Sequence, residues 1–251
     1  MSIGIYDGKQ LKAEWSTATD RRKTYDEYGL LFRDLLEHQG FRREDLTAAA
    51  ITSSVPPVVP TLEWMCQKYF DLKPLVVGPG VRTGMVIRYD NPREVASDRI
   101  VIAAAAYEKY GGPLIVVDFG TATIFDVVSR SGEYLGGVIA PGITISVEAL
   151  FSQAAKLPRI ELVRPQTVLA RNTIHAMQSG VIFGFAGQVE ELVERLQQEL
   201  GPAAEGIKVI ATGDMADLIV GEVGCVTAVD PYLALEGLRL IYERNQTRGE
   251  R

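Results

Sequence analysis

The stretch "VVDFGTATIFD" at residues 116–126 decides how the rest of the chain is interpreted. An apolar run from Leu114 runs directly into Asp118, and a Gly–Thr–Ala–Thr segment then returns to apolar residues. This order predicts two strands joined by a tight turn. Glycine lets the backbone approach a bulky anion, and turn amides and hydroxyls can donate to its oxygen atoms. The aspartate can hold a cation instead. A plain Asx-type hairpin turn is the alternative, and the tetrapeptide alone leaves both open.

The composition limits the classes of partner. The chain has 251 residues, of which 47% are hydrophobic and 23% charged, as in soluble proteins of one or two domains. Its net charge of −6 argues against nucleic acid as the main partner, because phosphate backbones bind basic surfaces. No apolar run approaches the roughly 20 residues that cross a bilayer, so we expect a cytoplasmic protein without a membrane partner. The isolated residues Cys66, Cys225, His38 and His175 favour structural roles.

The two halves of the chain contain a similar pattern of predicted elements. The opening "MSIGIYDGKQLKAEW" and the later "TIFDVVSRSGEYLGG" (123–137) each read as strand, glycine turn and strand, which suggests a duplicated α/β unit with mixed sheets. Asp7–Gly8 predicts the first hairpin, and Thr24 with Glu27 predicts a helix-opening capping box. Later patterns predict helices near residues 146–155, 173–200 and 231–245, and a frayed end over 246–251.

The sequence resembles the type III pantothenate kinases, which belong to the acetate and sugar kinase/Hsp70/actin superfamily. The resemblance spans essentially the whole chain. It is carried by ordered motifs: "ATDRRKTYDEYG" (18–29), "VVGPGVRTG" (76–84), "YDNPREVASDRI" (89–100), "VVDFGTATIFD" (116–126), "GGVIAPGI" (136–143), "AAKLPRIE" (154–161), "ARNTIHAMQSG" (170–180) and "VIATGD" (209–214).

The resemblance implies an α/β fold of duplicated ribonuclease-H-like (actin-like ATPase) domains with mixed sheets and an interdomain cleft. We expect the domains at residues 1–110 and 111–251. The implied reaction is ATP-dependent phosphorylation of pantothenate to 4′-phosphopantothenate, the first step of coenzyme A biosynthesis. Mg²⁺ and a monovalent cation, K⁺ or NH₄⁺, are the implied cofactors. The family also implies a homodimer, for which the helices at 173–200 and 231–244 offer apolar faces, although packing within the chain explains these faces equally well.

The resemblance assigns Asp98 as the general base for the pantothenate hydroxyl. Phosphoryl transfer depends mainly on positioning and charge stabilisation, so a nearby carboxylate needs only to receive the hydroxyl proton. The alternative is structural, because an acid beside Ser97 also stabilises a helix N-terminus. Both roles are compatible.

Further site residues follow from the same motifs. Those matching the pantothenate site are Tyr89, Ala96, Ser97, Asp98, Arg99 and Thr173. Those matching the ATP site are Gly120, Thr121 and Thr123. Asp118 matches the monovalent-cation ligand. Plainer alternatives are a neighbouring acid as the partner of Arg99, an edge-strand tyrosine at position 89 and a helix cap at position 173. Gly136, Gly137 and Gly142 either let two backbones meet or form turns.

The pattern departs from the family at its start. Family members open with an apolar strand and a D-x-G-N-T turn, the first phosphate loop and the magnesium-binding acid, and Met1 aligns just after this segment. The first domain is therefore expected to lack its first strand. We favour a start codon placed too late. The alternatives are a shortened, catalytically impaired paralogue that binds ligands or regulates, or a first loop supplied differently. Smaller departures are Ala96–Ser97 for Gly–Ala, Ile124 for threonine, and Asp214 near the expected adenosine pocket.

Overall fold

The computed structural model describes residues 1–154 and 156–246. Its strands are β1 (Ser2–Asp7), β2 (Gln10–Ser16), β3 (Ala50–Ile51), β4 (Leu75–Val76), β5 (Val86–Ile87), β6 (Leu114–Phe119), β7 (Ala122–Val128), β8 (Glu133–Pro141), β9 (Lys208–Thr212) and β10 (Ala228–Val229). Its helices are α1 (Tyr25–His38), α2 (Val59–Phe70), α3 (Ser97–Tyr110), α4 (Ile143–Gln153), α5 (Thr173–Leu200), α6 (Ala216–Val220) and α7 (Leu233–Gln246). The expected frayed end, apart from Gln246, lies outside the described residues, as does Ala155.

The chain divides into two compact units. Unit 1 contains Met1–Gly84, Asn91–Ala105 and the residues from Ala234 onward. Unit 2 contains Met85–Asp90 and Ala106–Leu233. The domain bounds expected from the sequence, 1–110 and 111–251, stay a prediction. The mixed α/β class is confirmed.

Unit 1 contains two small sheets and a helical core. Strands β1 and β2 pair antiparallel through the Asp7–Gly8 turn, where Gly8 has a φ of 56°, so the predicted hairpin is confirmed. Strands β3 and β4 form a separate parallel pair. Helix α1 begins at the predicted capping box, in which Thr24 and Glu27 satisfy each other's backbone amides. Apolar faces of α1 and α2 pack together around the fully buried Tyr28.

Unit 2 is built on one six-stranded mixed sheet with the order β10-β9-β6-β7-β8-β5. Strand β6 pairs parallel with β9 and antiparallel with β7, so the quoted stretch forms the centre of this sheet. Helix α5 has the predicted bounds and packs its apolar residues, among them Ile182 and Val189, into the core beside β6 and β7. Helix α4 begins at Ile143, a turn earlier than expected.

The long helices of unit 2 are amphipathic rather than apolar throughout. Across residues 1–154 and 156–246, none of the helices combines the length and the apolar character that a bilayer span requires.

Candidate functional site

The quoted stretch forms a hairpin whose tip projects from the sheet of unit 2. Asp118 lies near the end of β6, where it is opposite Ile124 of β7 and Thr212 of β9. Gly120 and Thr121 form the exposed two-residue tip, and the Gly120 amide donates to the Ala122 carbonyl over 3.1 Å. A carboxylate and an exposed Gly–Thr turn therefore lie together at one end of the central strands.

Two further glycines press against this hairpin. A Cβ atom on Gly142 would lie 2.2 Å from the Thr121 carbonyl oxygen and 2.7 Å from that of Gly120. A Cβ atom on Gly213 would lie 2.5 Å from Asp118 Oδ1 and within 2.8 Å of the Phe119 backbone. Gly213 also has a φ of 93°, which side-chain-bearing residues rarely adopt. Only glycine fits at either position, so three backbone segments converge around Asp118.

One of these segments starts a helix. Gly142 is the N-cap of α4 and offers no side chain to its first amides. The first four amides of a helix lack partners within the helix, and the helix dipole favours negative charge there. Because Gly142 packs on the tip of the hairpin, the α4 N-terminus and the turn amides face a shared region. This combination of helix start and glycine turn is typical of phosphate binding.

The two threonines of the turn differ in exposure. Thr121 is exposed at the tip, whereas Thr123 is fully buried and its hydroxyl has no hydrogen bond within the described part of the chain. Thr212 on the adjacent strand is 3% exposed. In this structure Thr121 is therefore the hydroxyl open to a ligand, and Thr123 lies beneath the turn.

The predicted base lies at the start of a helix in unit 1. Asp98 is the second residue of α3, is half-buried, and its Oδ1 accepts the backbone amide of Arg99 over 3.0 Å. The hydroxyls of Ser97 and Thr52 lie 2.9 Å apart, which ties the start of α3 to the end of β3. Arg99 is only 6% exposed. Ala96 immediately precedes the helix, so these four predicted residues form one continuous segment.

Tyr89 belongs to unit 2 and packs over a glycine. Its ring centroid lies 6.4 Å from that of Tyr134, and a Cβ on Gly136 would lie 3.4 Å from its ring. Tyr134 in turn donates its hydroxyl to the buried Asp126 over 2.7 Å. Strand β5 lies at the edge of the sheet and ends two residues before Tyr89. Tyr89 is therefore next to an edge strand but is not part of it.

Thr173 is the first residue of α5, but it does not cap the helix. Asn172 is the N-cap, and its side chain accepts the His175 amide over 2.9 Å. The Thr173 side chain is exposed. The helix-cap alternative for Thr173 is therefore wrong, since the neighbouring asparagine fills that role.

For Gly137 and Gly142, the contacts of an added Cβ decide between a close approach of two backbones and a simple turn. Gly142 lets two backbones meet, as described above, and a Cβ on Gly137 would lie 1.7 Å from the Phe125 carbonyl oxygen on the neighbouring strand. Gly213 was not singled out from the sequence. The sequence does contain a feature that could have indicated it. Like the quoted stretch, "VIATGD" (209–214) is an apolar strand that ends in polar residues and a glycine. Asp214, which follows it, is exposed.

Asp118 is the residue that the sequence predicts as a cation ligand. Residues 1–154 and 156–246 contain no cluster of three or more His, Cys, Asp or Glu side chains that could hold a metal ion by themselves. A single carboxylate can nevertheless bind a cation whose other ligands are oxygen atoms of water or substrate. Mg²⁺ in particular is often held by one or two carboxylates together with substrate phosphates and water. The Asp118 carboxylate can supply one oxygen ligand to a cation.

These observations define an α/β protein with mixed sheets and a glycine-rich turn at the ends of its central strands. A solved structure supports the fold: a Campylobacter jejuni protein described as a Baf family transcriptional activator matches with a TM-score of 0.51 and 20% identity. The match covers 82% of this chain and 87% of that one. At this identity the likeness concerns the fold alone.

Sequence comparison is more specific. The type III pantothenate kinase family model matches residues 1–195. The chain is 65% identical over 243 residues to type III pantothenate kinase 2 of Symbiobacterium thermophilum, covering 97% of this chain and 92% of that protein. It is 54% identical over 243 residues to the type III pantothenate kinase of Moorella thermoacetica, covering 97% and 94%. The chain belongs to the type III pantothenate kinase family.

Proposed function

We propose that the chain transfers the terminal phosphoryl group of ATP to the terminal hydroxyl of pantothenate, with the roles of individual residues set out below. Pantothenate kinase activity, the first step of coenzyme A biosynthesis, follows from family membership. The observation that carries it is 65% identity extending over 97% of the chain. The convergence of Gly142 and Gly213 on the Asp118 turn supports ATP as the phosphoryl donor.

Asp98 is the proposed general base. Its position at the start of α3 and the amide donated by Arg99 hold the carboxylate in one orientation. A carboxylate in hydrogen-bond reach of the substrate hydroxyl receives its proton as the bond to phosphorus forms. The helix-start role is compatible, because the favourable dipole there also stabilises the ionised form.

Gly120 and Thr121 are the proposed contacts for the ATP phosphates. Both are exposed at the hairpin tip, next to the α4 N-terminus. The Thr121 hydroxyl donates to phosphate oxygens, glycine at position 120 lets the backbone approach them, and the dipole of the α4 N-terminus favours their negative charge. Thr123 is the third proposed residue of this site. Its side chain is buried beneath the turn, so we propose that it supports the turn and does not contact solvent.

Asp118 is the proposed ligand of a monovalent cation, K⁺ or NH₄⁺, and Mg²⁺ is proposed to arrive with the ATP phosphates. When bound, these cations supply positive charge that offsets the charge on the transferring phosphoryl group. The contribution of the chain is to hold the Asp118 carboxylate rigidly between the turn and Gly213.

The remaining predicted residues are proposed to bind pantothenate. Arg99 offers a guanidinium for a carboxylate. Ser97 offers a hydroxyl that is already ordered by Thr52. Tyr89 offers a ring held against Gly136. Ala96 and Thr173 complete the set.

The proposal extends to assembly, location and architecture. The apolar face of α5 packs into the core of unit 2, which is the alternative that the sequence left open for this helix. We place the homodimer contact on residues 139–174 of unit 2, which carry a concentration of exposed apolar side chains: Ile139, Ile145, Leu150, Phe151, Val163, Val168, Leu169 and Ile174.

The proposed location is the cytoplasm. Cys66 and Cys225 are both free, which is consistent with a reducing compartment. The duplicated ribonuclease-H-like arrangement of domains is part of the same proposal.

The test is Asp98→Asn in a coupled ADP-release assay with pantothenate. We expect kcat to fall by about 10²–10⁴-fold, the usual contribution of a general base, while calorimetry shows retained pantothenate binding. Asp34→Asn, an exposed change on α1, is the matched control and should leave turnover unchanged. Undiminished turnover of Asp98→Asn would exclude Asp98 as the base. Pantothenate binding by the unaltered chain without any ADP release would instead favour a ligand-binding or regulatory protein.

A further inference from the structure

The backbone that leads into Tyr89 is bonded to strand β8. Ile87, the last residue of β5, lies opposite Tyr134, and the Arg88 amide donates to the Tyr134 carbonyl over 2.8 Å. The Arg88 guanidinium also donates to Glu133, the residue before Tyr134, over 2.8 Å. Tyr89 therefore starts from a backbone position that β8 determines.

Strand β8 contains a bulge directly after Tyr134. Residues 127 and 128 of β7 pair with Gly136 and Tyr134, respectively, so Leu135 is an extra residue on β8. Gly136 has a φ of 121°, which side-chain-bearing residues rarely adopt. Bulges change the direction of side chains and are frequent next to active sites. Here the bulge puts a residue without a side chain beside the ring of Tyr89.

The ring of Tyr89 contacts two groups of β8. Its centroid lies 6.4 Å from that of Tyr134 and the two ring planes form an angle of 46°, a separation typical of aromatic pairs. A Cβ on Gly136 would lie 3.4 Å from Cε2 of the Tyr89 ring. Tyr134 is fully buried, whereas Tyr89 is half-buried. Tyr89 therefore keeps part of its surface accessible while the rest packs on β8.

Tyr134 is itself held by a buried carboxylate. Its hydroxyl donates to Asp126 Oδ1 over 2.7 Å, and Asp126 is 3% exposed. Hydrogen bonds to charged groups are stronger than those between neutral groups, so this contact fixes the orientation of the Tyr134 ring. Because Tyr134 has no exposed surface, its effect on a ligand must pass through the residues that it packs against.

We infer that Tyr134 is a positioning residue for pantothenate: bonded to Asp126, it holds the ring of Tyr89 in the orientation that receives the substrate. The inference rests on the proposed role of Tyr89 in pantothenate binding. A side chain that is ordered before binding does not have to be ordered during binding, so Tyr134 contributes to substrate affinity. It contributes little to phosphoryl transfer, because the proposed proton acceptor is Asp98.

Tyr134→Phe tests the inference, because it keeps the ring and removes only the hydroxyl. Ordering one side chain during binding weakens affinity by about 3–10-fold, so the Kd for pantothenate by calorimetry and the KM for pantothenate should both rise by that factor. The kcat and the KM for ATP should change by less than about twofold, since a residue that acts on binding alone raises KM without lowering kcat.

Tyr110→Phe is the matched control. Tyr110 also donates its hydroxyl to a buried aspartate, Asp230, over 3.0 Å. Asp230 follows β10, and β10 and β5 lie at opposite edges of the six-stranded sheet. Loss of this hydrogen bond should lower the melting temperature much as Tyr134→Phe does, but it should leave the Kd for pantothenate unchanged.

A double-mutant cycle tests whether Tyr134 acts through Tyr89. Tyr89→Ala should weaken pantothenate binding by itself. Adding Tyr134→Phe should then change the Kd by less than about twofold, because the effects of residues in contact are not additive. A second readout is ¹³C NMR of the chain with labelled tyrosine, in which the ring signals of Tyr89 are assigned by their loss in Tyr89→Phe. These signals should shift in Tyr134→Phe and stay in place in Tyr110→Phe.

Two results would overturn the inference. The first is a Kd for Tyr134→Phe equal to that of Tyr110→Phe. The second is an effect of Tyr134→Phe that persists in full in the Tyr89→Ala background, which would mean that Tyr134 acts by another route.

Tyr89→Ala alone separates this inference from the proposed function. If its Kd for pantothenate is unchanged, the proposed role of Tyr89 is wrong, and the positioning role falls with it. If its Kd rises while Tyr134→Phe matches the control, only the positioning role is wrong. Calorimetry and NMR need no turnover, so both readouts apply even to a chain that binds pantothenate without releasing ADP.

Discussion

Replacing Gly142 by alanine tests whether the close approach of α4 to the Asp118 turn matters for nucleotide binding. The backbone at this position is ordinary, with φ −75° and ψ 162°, so alanine adopts it without strain. The cost is therefore purely steric. The new Cβ would lie 2.2 Å from the Thr121 oxygen, against 3.4 Å for ordinary contact, so the turn must move by about 1.2 Å.

The size of the effect follows from that displacement. Overpacking of this kind costs about 1–3 kcal/mol, which lowers the melting temperature of a chain of this size by several degrees. A misplacement of about 1 Å in a group that positions substrate can reduce turnover by about 10²-fold. We therefore expect kcat/KM for ATP to fall by about 10–100-fold.

The assay compares Gly142→Ala with Gly184→Ala. Gly184 lies on the exposed side of α5 with nothing within 4 Å of its added Cβ, so alanine there should stabilise the helix by about 0.5–1 kcal/mol. ATP kinetics and melting curves are measured for both variants. If Gly142→Ala has the ATP kinetics and melting temperature of the control, α4 does not support the turn and the phosphate-site argument fails.

Three further predictions follow from single residues. Asp118→Ala should remove the difference between K⁺ and Na⁺ in the kinase assay, because that carboxylate is the proposed cation ligand; a variant that still requires K⁺ would contradict this. Burial raises the pKa of the Cys66 thiol to about 11, so at pH 8 only about one thiol in a thousand is ionised. Iodoacetamide should therefore label Cys66 at least about a hundredfold more slowly in the folded chain than in urea, and rapid labelling of the folded chain would show the thiol to be accessible. Leu169 is 82% exposed within the proposed dimer surface, so Leu169→Glu should give a monomer of 27.5 kDa by light scattering. Trp64→Glu, which changes an exposed residue of α2, should leave the oligomer intact, and a dimeric Leu169→Glu would place the contact elsewhere.

Local signals predicted the local structure well. The first hairpin, the α1 capping box and the bounds of α5 depend on residues close together in sequence: a glycine turn, a Thr–Glu pair and a helical repeat. The same holds for the quoted stretch, whose strands and turn lie where the alternation of apolar and small polar residues placed them.

Contacts between distant segments could not be predicted in this way. Gly142 and Gly213 reach the Asp118 turn from other elements, and the requirement for glycine appears only when all three backbones are in place. Likewise, nothing near residue 237 indicates that Gly237 lies against the Val101 carbonyl of α3, where a Cβ would be 2.1 Å away. A helix cap was the alternative role for Thr173, but Asn172 takes it; both residue types cap helices well, and the choice between neighbours depends on one residue of register.

The route of the chain through the two units has a consequence for synthesis on the ribosome. Residues 106–233 of unit 2 emerge as a nearly continuous segment, whereas unit 1 waits for α7, which follows them in the chain. Domains tend to fold as soon as their segments are available. Unit 2 is therefore expected to become protease-resistant once residue 233 has left the ribosome tunnel, whereas the apolar surfaces of β4 and α3 stay exposed until α7 has left it as well. Chaperone engagement during translation should concentrate in that interval.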